Sequence, residues 1–218
     1  LSGAYRDQNQ GYFTNLNTGR HDGKSEYTSW GVNVLWTPAE NIELEYTYQQ
    51  ERTDQDTPPL LNVGQPGQLF CDGWGWCSPD LDTPVSGGRY KVLSAFGSDA
   101  TNPFPGAPFT PPGYDEPISF NDATYDADTN QFEVRWDLTD DYRIDYLIGS
   151  WKTDEEVVTD WDGVTQVLFH TSRPADYNQL SNELRLTYDA GENLAYTVGG
   201  YYWDSDYSIQ LQSYIGFV

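Results

Sequence analysis

Apolar and polar positions alternate along this chain, most clearly between Thr129 and Trp151, read TNQFEVRWDLTDDYRIDYLIGSW. Phe132, Val134, Trp136 and Leu138 fall on one face; Gln131, Glu133, Arg135 and Asp137 fall on the other. A period of two belongs to a strand, because a helix repeats at about 3.6 residues. The next arm places Tyr142, Ile144, Tyr146 and Ile148 together. Arg143 and Asp145 begin the opposite face, which turns mixed through Leu147, Gly149 and Trp151. Thr139-Asp140-Asp141 joins the arms as a tight polar turn.

The same plan recurs. Residues 1–10 read as a strand, and residues 11–26 (GYFTNLNTGRHDGKSE) as a loop rich in Gly, Asn and charge. A strand from about Tyr27 to Thr37 sets Val32, Val34 and Trp36 against Gly31, Asn33 and Leu35. After the turn Pro38–Asn41, a strand to about Arg52 sets Ile42, Leu44, Tyr46 and Tyr48 against Glu43, Glu45, Thr47 and Gln49. Residues 53–124 hold most of the prolines and lose the alternation; a connection that long inside a domain is expected to be functional. Within it, RYKVLSAF (Arg89 to Phe96) fits either a short strand or a helical turn. Lys152 to Asp162 reads as a polar continuation and residues 163–177 as a loop. Asn178 to Tyr188 sets Leu184, Leu186 and Tyr188 against Glu183, Arg185 and Thr187. Beyond the turn Asp189–Asn193, a last strand to about Tyr207 carries Leu194, Tyr196, Val198 and Tyr202 on one face. QLQSYIGFV fits either a further strand or a loop.

Short turns at 38–41, 139–141 and 189–193 alternate with long loops at 11–26, 53–124 and about 155–177. In an up-and-down sheet, all the short turns then share one rim. This predicts an all-β, antiparallel up-and-down transmembrane β-barrel segment with short periplasmic turns and long extracellular loops. The whole chain reads as one partial barrel domain of about seven strands with its largest loop at about 53–124. Ile42, Leu44, Phe132, Val134, Ile144, Ile148, Leu184, Leu186 and Val198 are expected to face lipid. Glu43, Glu45, Glu133, Arg135, Arg143, Asp145, Glu183 and Arg185 are expected to face the lumen, where water or a plug tolerates charge that a dry sandwich core would not. Trp36, Trp136, Tyr142 and Tyr188 beside the turns, with Tyr48, Trp151, Tyr202 and Trp203 toward the loops, suggest two interfacial girdles. The competing fold is a soluble antiparallel sandwich, whose strands are typically shorter, about 5–6 residues.

Composition sharpens this. Net charge is -23 over 218 residues, which argues against a nucleic-acid partner. Aromatics at 16% separate the chain from disordered acidic sequences. Mean hydropathy of -0.69 excludes helical spans but not barrel strands, which turn only alternate residues to lipid. The start, LSGAYRDQNQ, lacks a signal peptide's basic region and apolar core, and the chain reads as a mature product or an interior piece.

Little in the sequence speaks for catalysis. His21 and His170 are the only histidines, and no nucleophile triad, P-loop, HExxH or dinucleotide fingerprint occurs, so no catalytic residue and no enzyme activity are expected. No cofactor is expected, apart from calcium at acidic extracellular loops. Asp126, Asp128 and Asn130 match the first half of a calcium loop, but Gln131 stands where Gly is wanted. Cys71 and Cys77, in FCDGWGWC, suggest a disulfide in an oxidising compartment; zinc would want four ligands and no His is near. Phe70, Trp74 and Trp76 at that tip are ligand-contact candidates that suit a sugar ring or planar siderophore; packing the loop onto its neighbours is the equal alternative.

LSGAYRDQNQGYFTNLNTGR, SWGVNVLWTPAENIELEYTY and SNELRLTYDAGENLAYTVGGYYWDSDY together resemble the barrel of TonB-dependent outer-membrane receptors. The likeness covers most of the chain outside the Pro-rich loop, while the plug and TonB box have no counterpart here. It implies a middle segment of a larger barrel in the outer membrane of a Gram-negative bacterium. It also implies active uptake of a scarce ligand: a siderophore, another metal complex or an oligosaccharide. The partners implied are outer-membrane lipid and lipopolysaccharide, a periplasmic energy-coupling protein reached through other parts of the receptor, and a small-molecule ligand or surface lipoprotein. The alternatives are a passive porin and a soluble or surface β-rich protein binding glycans or cations.

Overall fold

In a computed structural model, the described residues are 1–16, 19, 21–57, 65–74, 90–92, 122–161, 163, 169–191 and 194–215. In chain order they form β1 (Ser2–Gln8), β2 (Phe13–Asn15), β3 (His21–Asp22), β4 (Ser25–Ala39), β5 (Ile42–Asp56), α1 (Leu69–Trp74), β6 (Tyr90–Val92), β7 (Asp122–Asp137), β8 (Tyr142–Asp160), β9 (Phe169–Asp189), β10 (Ala195–Ile209) and β11 (Gln212–Ile215).

One antiparallel sheet dominates, in the order β1-β4-β5-β7-β8-β9-β10. Each strand pairs with its predecessor in this series, so the topology is up-and-down, and the sheet is open, with β1 and β10 at its edges. β11 continues the line of β10 along β9, Gln212 opposite Ser172, after a break at residues 210–211. The central strands are long, at 16, 19 and 21 residues for β7, β8 and β9.

The strands extend well past their sequence-based limits. β7 begins at Asp122 and β9 at Phe169, so the expected loop at 155–177 narrows to residues 161–168. The cause is visible in the residues. Both faces are polar there, as in KTDEEVV and SRPADYNQ, so the ladder continues without an apolar stripe to mark it. The hairpin turns are stitched to one another. Leu138 donates to the Tyr142 carbonyl at 2.8 Å and the Thr139 hydroxyl accepts from the Tyr142 amide at 3.2 Å. The Asp137 amide donates to the Asn41 carbonyl at 2.9 Å, the Asn41 side-chain amide donates back to the Asp137 carbonyl at 2.9 Å, and Asp189 donates to the Asp141 carbonyl at 2.9 Å. Leu138 therefore belongs to the turn rather than to the strand. Gly191, at φ 91°, supplies the left-handed residue of the third turn.

A three-stranded sheet, β3-β2-β6, sits at the opposite end. β6 runs parallel to β2, Phe13 beside Tyr90, so the two longest connections meet. The expected loop at 11–26 therefore carries two short strands, and the Arg89–Phe96 stretch contributes a strand at Tyr90–Val92. The described part of the Cys-containing tip, read as a loop, folds as α1 over Leu69–Trp74. Burial concentrates at this end as well. Asn15, Asp22, Asp160 and His170 are fully enclosed, the last two with His170 Nε2 and Asp160 Oδ1 4.0 Å apart. Elsewhere the main sheet is a single layer. Among the described residues its buried apolar side chains are few and mostly small: Ala123, Ala127, Val158 and Ala175.

Candidate functional site

Residues opposite one another across a ladder share a face, so the register defines two surfaces. One row runs Ile42–Trp136–Ile144–Leu186–Val198. The next runs Leu44–Val134–Tyr146–Leu184–Gly200, and a third Tyr46–Phe132–Ile148–Asn182–Tyr202. All nine residues expected to face lipid thus lie in one continuous field, called here the banded face. The field is bounded at the turn end by Tyr142, Tyr188 and Tyr196, whose rings stack in sequence at 4.8 and 5.1 Å. Toward the loops, tyrosine hydroxyls bridge apolar and polar ground. Tyr46 donates to Asn130 at 2.7 Å, Tyr146 to Asn182 at 2.9 Å and Tyr48 to Asp128 at 2.5 Å. A phenol that keeps its ring apolar and its oxygen partnered suits a boundary between two media.

Above that boundary the banded face turns ionic. Arg52 pairs with Asp126 at 3.0 Å and Lys152 with Asp154 at 3.1 Å. The hydrogen bond from Lys152 holds the Asp154 carboxyl below the usual aspartate range. Asp126, Asp128 and Asn130 stand here, on β7. Their backbone is extended and paired on both sides, so it does not make the turn that wraps a calcium ion, and each side chain engages a neighbouring strand. Among the described residues no group of three or more His, Cys, Asp or Glu is arranged to hold a metal ion.

The other, polar face carries the charged residues named from the sequence. Glu43–Arg135–Asp145–Arg185 form one row and Glu45–Glu133–Leu147–Glu183 the next. Arg135 bridges Glu43 at 2.7 Å and Glu133 at 2.9 Å; Arg185 meets Glu183 at 2.6 Å. Arg143 binds Asp137 at 2.8 Å, and Asn33 donates to Glu45 at 2.6 Å. The register therefore brings all eight together in a ladder near the turn end, where carboxylates outnumber guanidiniums.

Further along the same face, toward the loops, lies a region the sequence reading did not isolate. Three rows cross β7 to β10: Gln131–Gly149–Ser181–Trp203, Thr129–Trp151–Gln179–Ser205 and Ala127–Thr153–Tyr177–Tyr207. None of these positions is charged. Trp151 and Tyr177 meet edge to face at 5.1 Å, Tyr207 lies 6.4 Å from Tyr177, and the Tyr177 hydroxyl donates to Gln179 at 2.7 Å. Beyond them Glu155 is paired with Arg173 at 2.7 Å. Burial, with Glu51 and Glu155 adding repulsion, raises the Tyr125 phenol above its ordinary value. Trp151 and Trp203, expected in a lipid girdle with Tyr48 and Tyr202, are instead on the polar face. Parity along β8 and β10 settles it, since both tryptophans occupy odd positions. Tyr177 was hidden inside an apparent loop. The available signal was that same odd-position count, continued upward past Gly149.

At the Cys-containing tip, Cys71 is buried and Phe70 and Trp74 lie on α1; Trp76 and Cys77 fall outside the described residues.

No protein-family model matches the sequence, and no curated protein matches it. Among solved structures, the chain is similar to the ferric yersiniabactin uptake receptor FyuA from Yersinia pestis, with a TM-score of 0.60 and 14% identity. The match covers 98% of this chain and 26% of that receptor, so the chain spans about a quarter of its length. At this identity the likeness is one of fold: an antiparallel sheet built like a sector of a β-barrel.

Proposed function

We propose that this chain is a sector of the barrel of an outer-membrane uptake receptor of the TonB-dependent type, which binds a scarce small molecule at its extracellular end and passes it inward. The observation that carries the reading is the banded face. A single-layer sheet presents Val34, Trp36, Leu184 and Val198 half-exposed or more, in rows bounded by tyrosines. Exposed apolar surface of that extent marks an interface with lipid or protein. Its height supports lipid. From Tyr142 to Lys152 the chain advances about 34 Å, or about 26 Å when tilted by roughly 40°, close to the apolar band of outer-membrane barrels. The ionised opposite face then lines the lumen, the stitched turns mark the periplasmic rim, and the meeting loops mark the cell exterior. Likeness to an uptake receptor in fold, and the sequence's resemblance to receptor hairpins, support transport over a passive pore. Partners that deliver energy would act through other parts of the receptor.

The test is fractionation of the full-length protein from cell envelopes. The expected result is retention in the membrane through alkaline carbonate washing, release by detergent, and a gel mobility that changes on boiling. Recovery in the aqueous fraction without detergent sinks the membrane assignment.

A further inference from the structure

The uncharged field on the polar face is out of keeping with a chain of net charge -23. Its turn-side border is the carboxylate row Glu133–Leu147–Glu183, and its loop-side border is the compensated Glu155–Arg173 pair. Between these borders, the polar face of β7 to β10 carries no cation that would hold an anionic chelate. They offer instead two kinds of group. Trp151, Trp203 and Tyr207 are 41%, 53% and 62% exposed, so ring surface is open to a ligand. Gln131 and Gln179, with serine and threonine hydroxyls, supply donors and acceptors. Trp151 on β8 and Trp203 on β10 stand on either side of β9, about 10 Å apart across the sheet. Ser181 and Gln179 form the floor between them, and Gly149 keeps that floor low: a Cβ there would lie 3.2 Å from Ser181 Oγ.

We propose that this field is a binding subsite for a neutral saccharide. A sugar ring has C–H-rich faces that stack on indole and phenol, and an equator of hydroxyls that both donate and accept. Uncharged amides and hydroxyls satisfy such an equator without the desolvation cost of unpaired ions. The receptor reading supplies the premise that this face looks into the lumen; the ligand class comes from the field itself.

The experiment uses the full-length receptor in an amine-oxide detergent, because alkyl glycoside detergents would occupy the subsite. Fluorescently labelled receptor is applied to an array of neutral and anionic glycans, with a ferric tricatecholate as soluble competitor. Expected are saturable binding to neutral glycans, no displacement by the chelate, and binding about tenfold weaker in Trp151→Ala and in Tyr207→Ala. Heat-modifiable gel mobility checks that both variants keep the barrel. Absence of binding to every neutral glycan, displacement by the chelate, or undiminished binding in both correctly folded variants overturns the proposal. Energised cells separate it from the receptor reading. Glycan binding without energy-dependent accumulation keeps the subsite and rejects the transporter; accumulation of the ferric chelate does the reverse.

Discussion

Val134 and Arg135 are neighbours in sequence, yet they lie on opposite faces of the sheet, which the proposed barrel turns to opposite media. Val134 sits in the middle row of the banded face beside Leu44 and Tyr146; Arg135 bridges Glu43 and Glu133 on the other side. Val134→Arg should cost about 2–4 kcal/mol of folding free energy in lipid, the depth-dependent cost of a cation near mid-bilayer. Arg135→Ala should cost far less, because its ion pairs are half-exposed and screened. Equilibrium unfolding in lipid vesicles measures both, and equal costs would remove the distinction between faces. This level was legible in the sequence. Alternation assigned Glu43, Glu133, Arg135 and Arg185 to one side without any structure. In the sequence Trp203 reads only as a girdle residue, and Trp151 both as one and, by alternation, as part of the opposite face, because aromatic residues suit both an interfacial girdle and a ligand wall. Only their parity, fixed by unbroken pairing from Tyr142 upward, distinguishes the two.

Among the elements, β8 is the one on which both surfaces depend. It pairs along its whole length with β9, and from Arg143 to Val157 with β7. Inserting one residue after Gly149 would turn Trp151 and Thr153 to the banded face and bring Lys152 and Asp154 to the polar face. Membrane assembly should then fail, seen as loss of heat-modifiable mobility. A one-residue insertion within 161–168 should leave it intact. If both insertions are tolerated, the register across β8 does not define the faces. The sequence carried this strand upward as the polar continuation from Lys152, but missed the matching upper parts of β7 and β9 for a physical reason. Beyond the apolar band neither face carries an apolar stripe, so the pattern that reveals a strand ends while the hydrogen bonding continues. The pairing of β6 with β2 was hidden for another reason. It joins segments far apart in sequence, and no local pattern encodes it.

At the scale of the whole molecule, the sheet is open. β1 pairs only with β4, and β10 only with β9, among the described strands. Unpaired edges of long strands template association with other chains, and lipid does not tolerate them at all. Residues 1–218 expressed alone should therefore sediment as large assemblies, whereas the full-length protein in detergent should be monodisperse. A monomeric, soluble product from the isolated segment would contradict the barrel-sector reading. The high negative charge gives solubility but does not close an edge.

The stitched rim has a consequence for the order of assembly. Strands β7 to β10 are joined by short connections, and so are β4 and β5, so each group can form as a local unit. The seam between β5 and β7 is different, because residues 57–121 separate its two sides. Bringing those ends together costs about 2–3 kcal/mol more chain entropy than a tight hairpin does. Asn41, which holds Asp137 from across that seam, becomes the natural place for the two units to begin zipping. The pairing of β2 with β6 draws the long connection back toward the sheet. A contact at the turn end and another at the loop end would thus act as the two ends of one fastening, and the seam between them would be the last part of this sector to form.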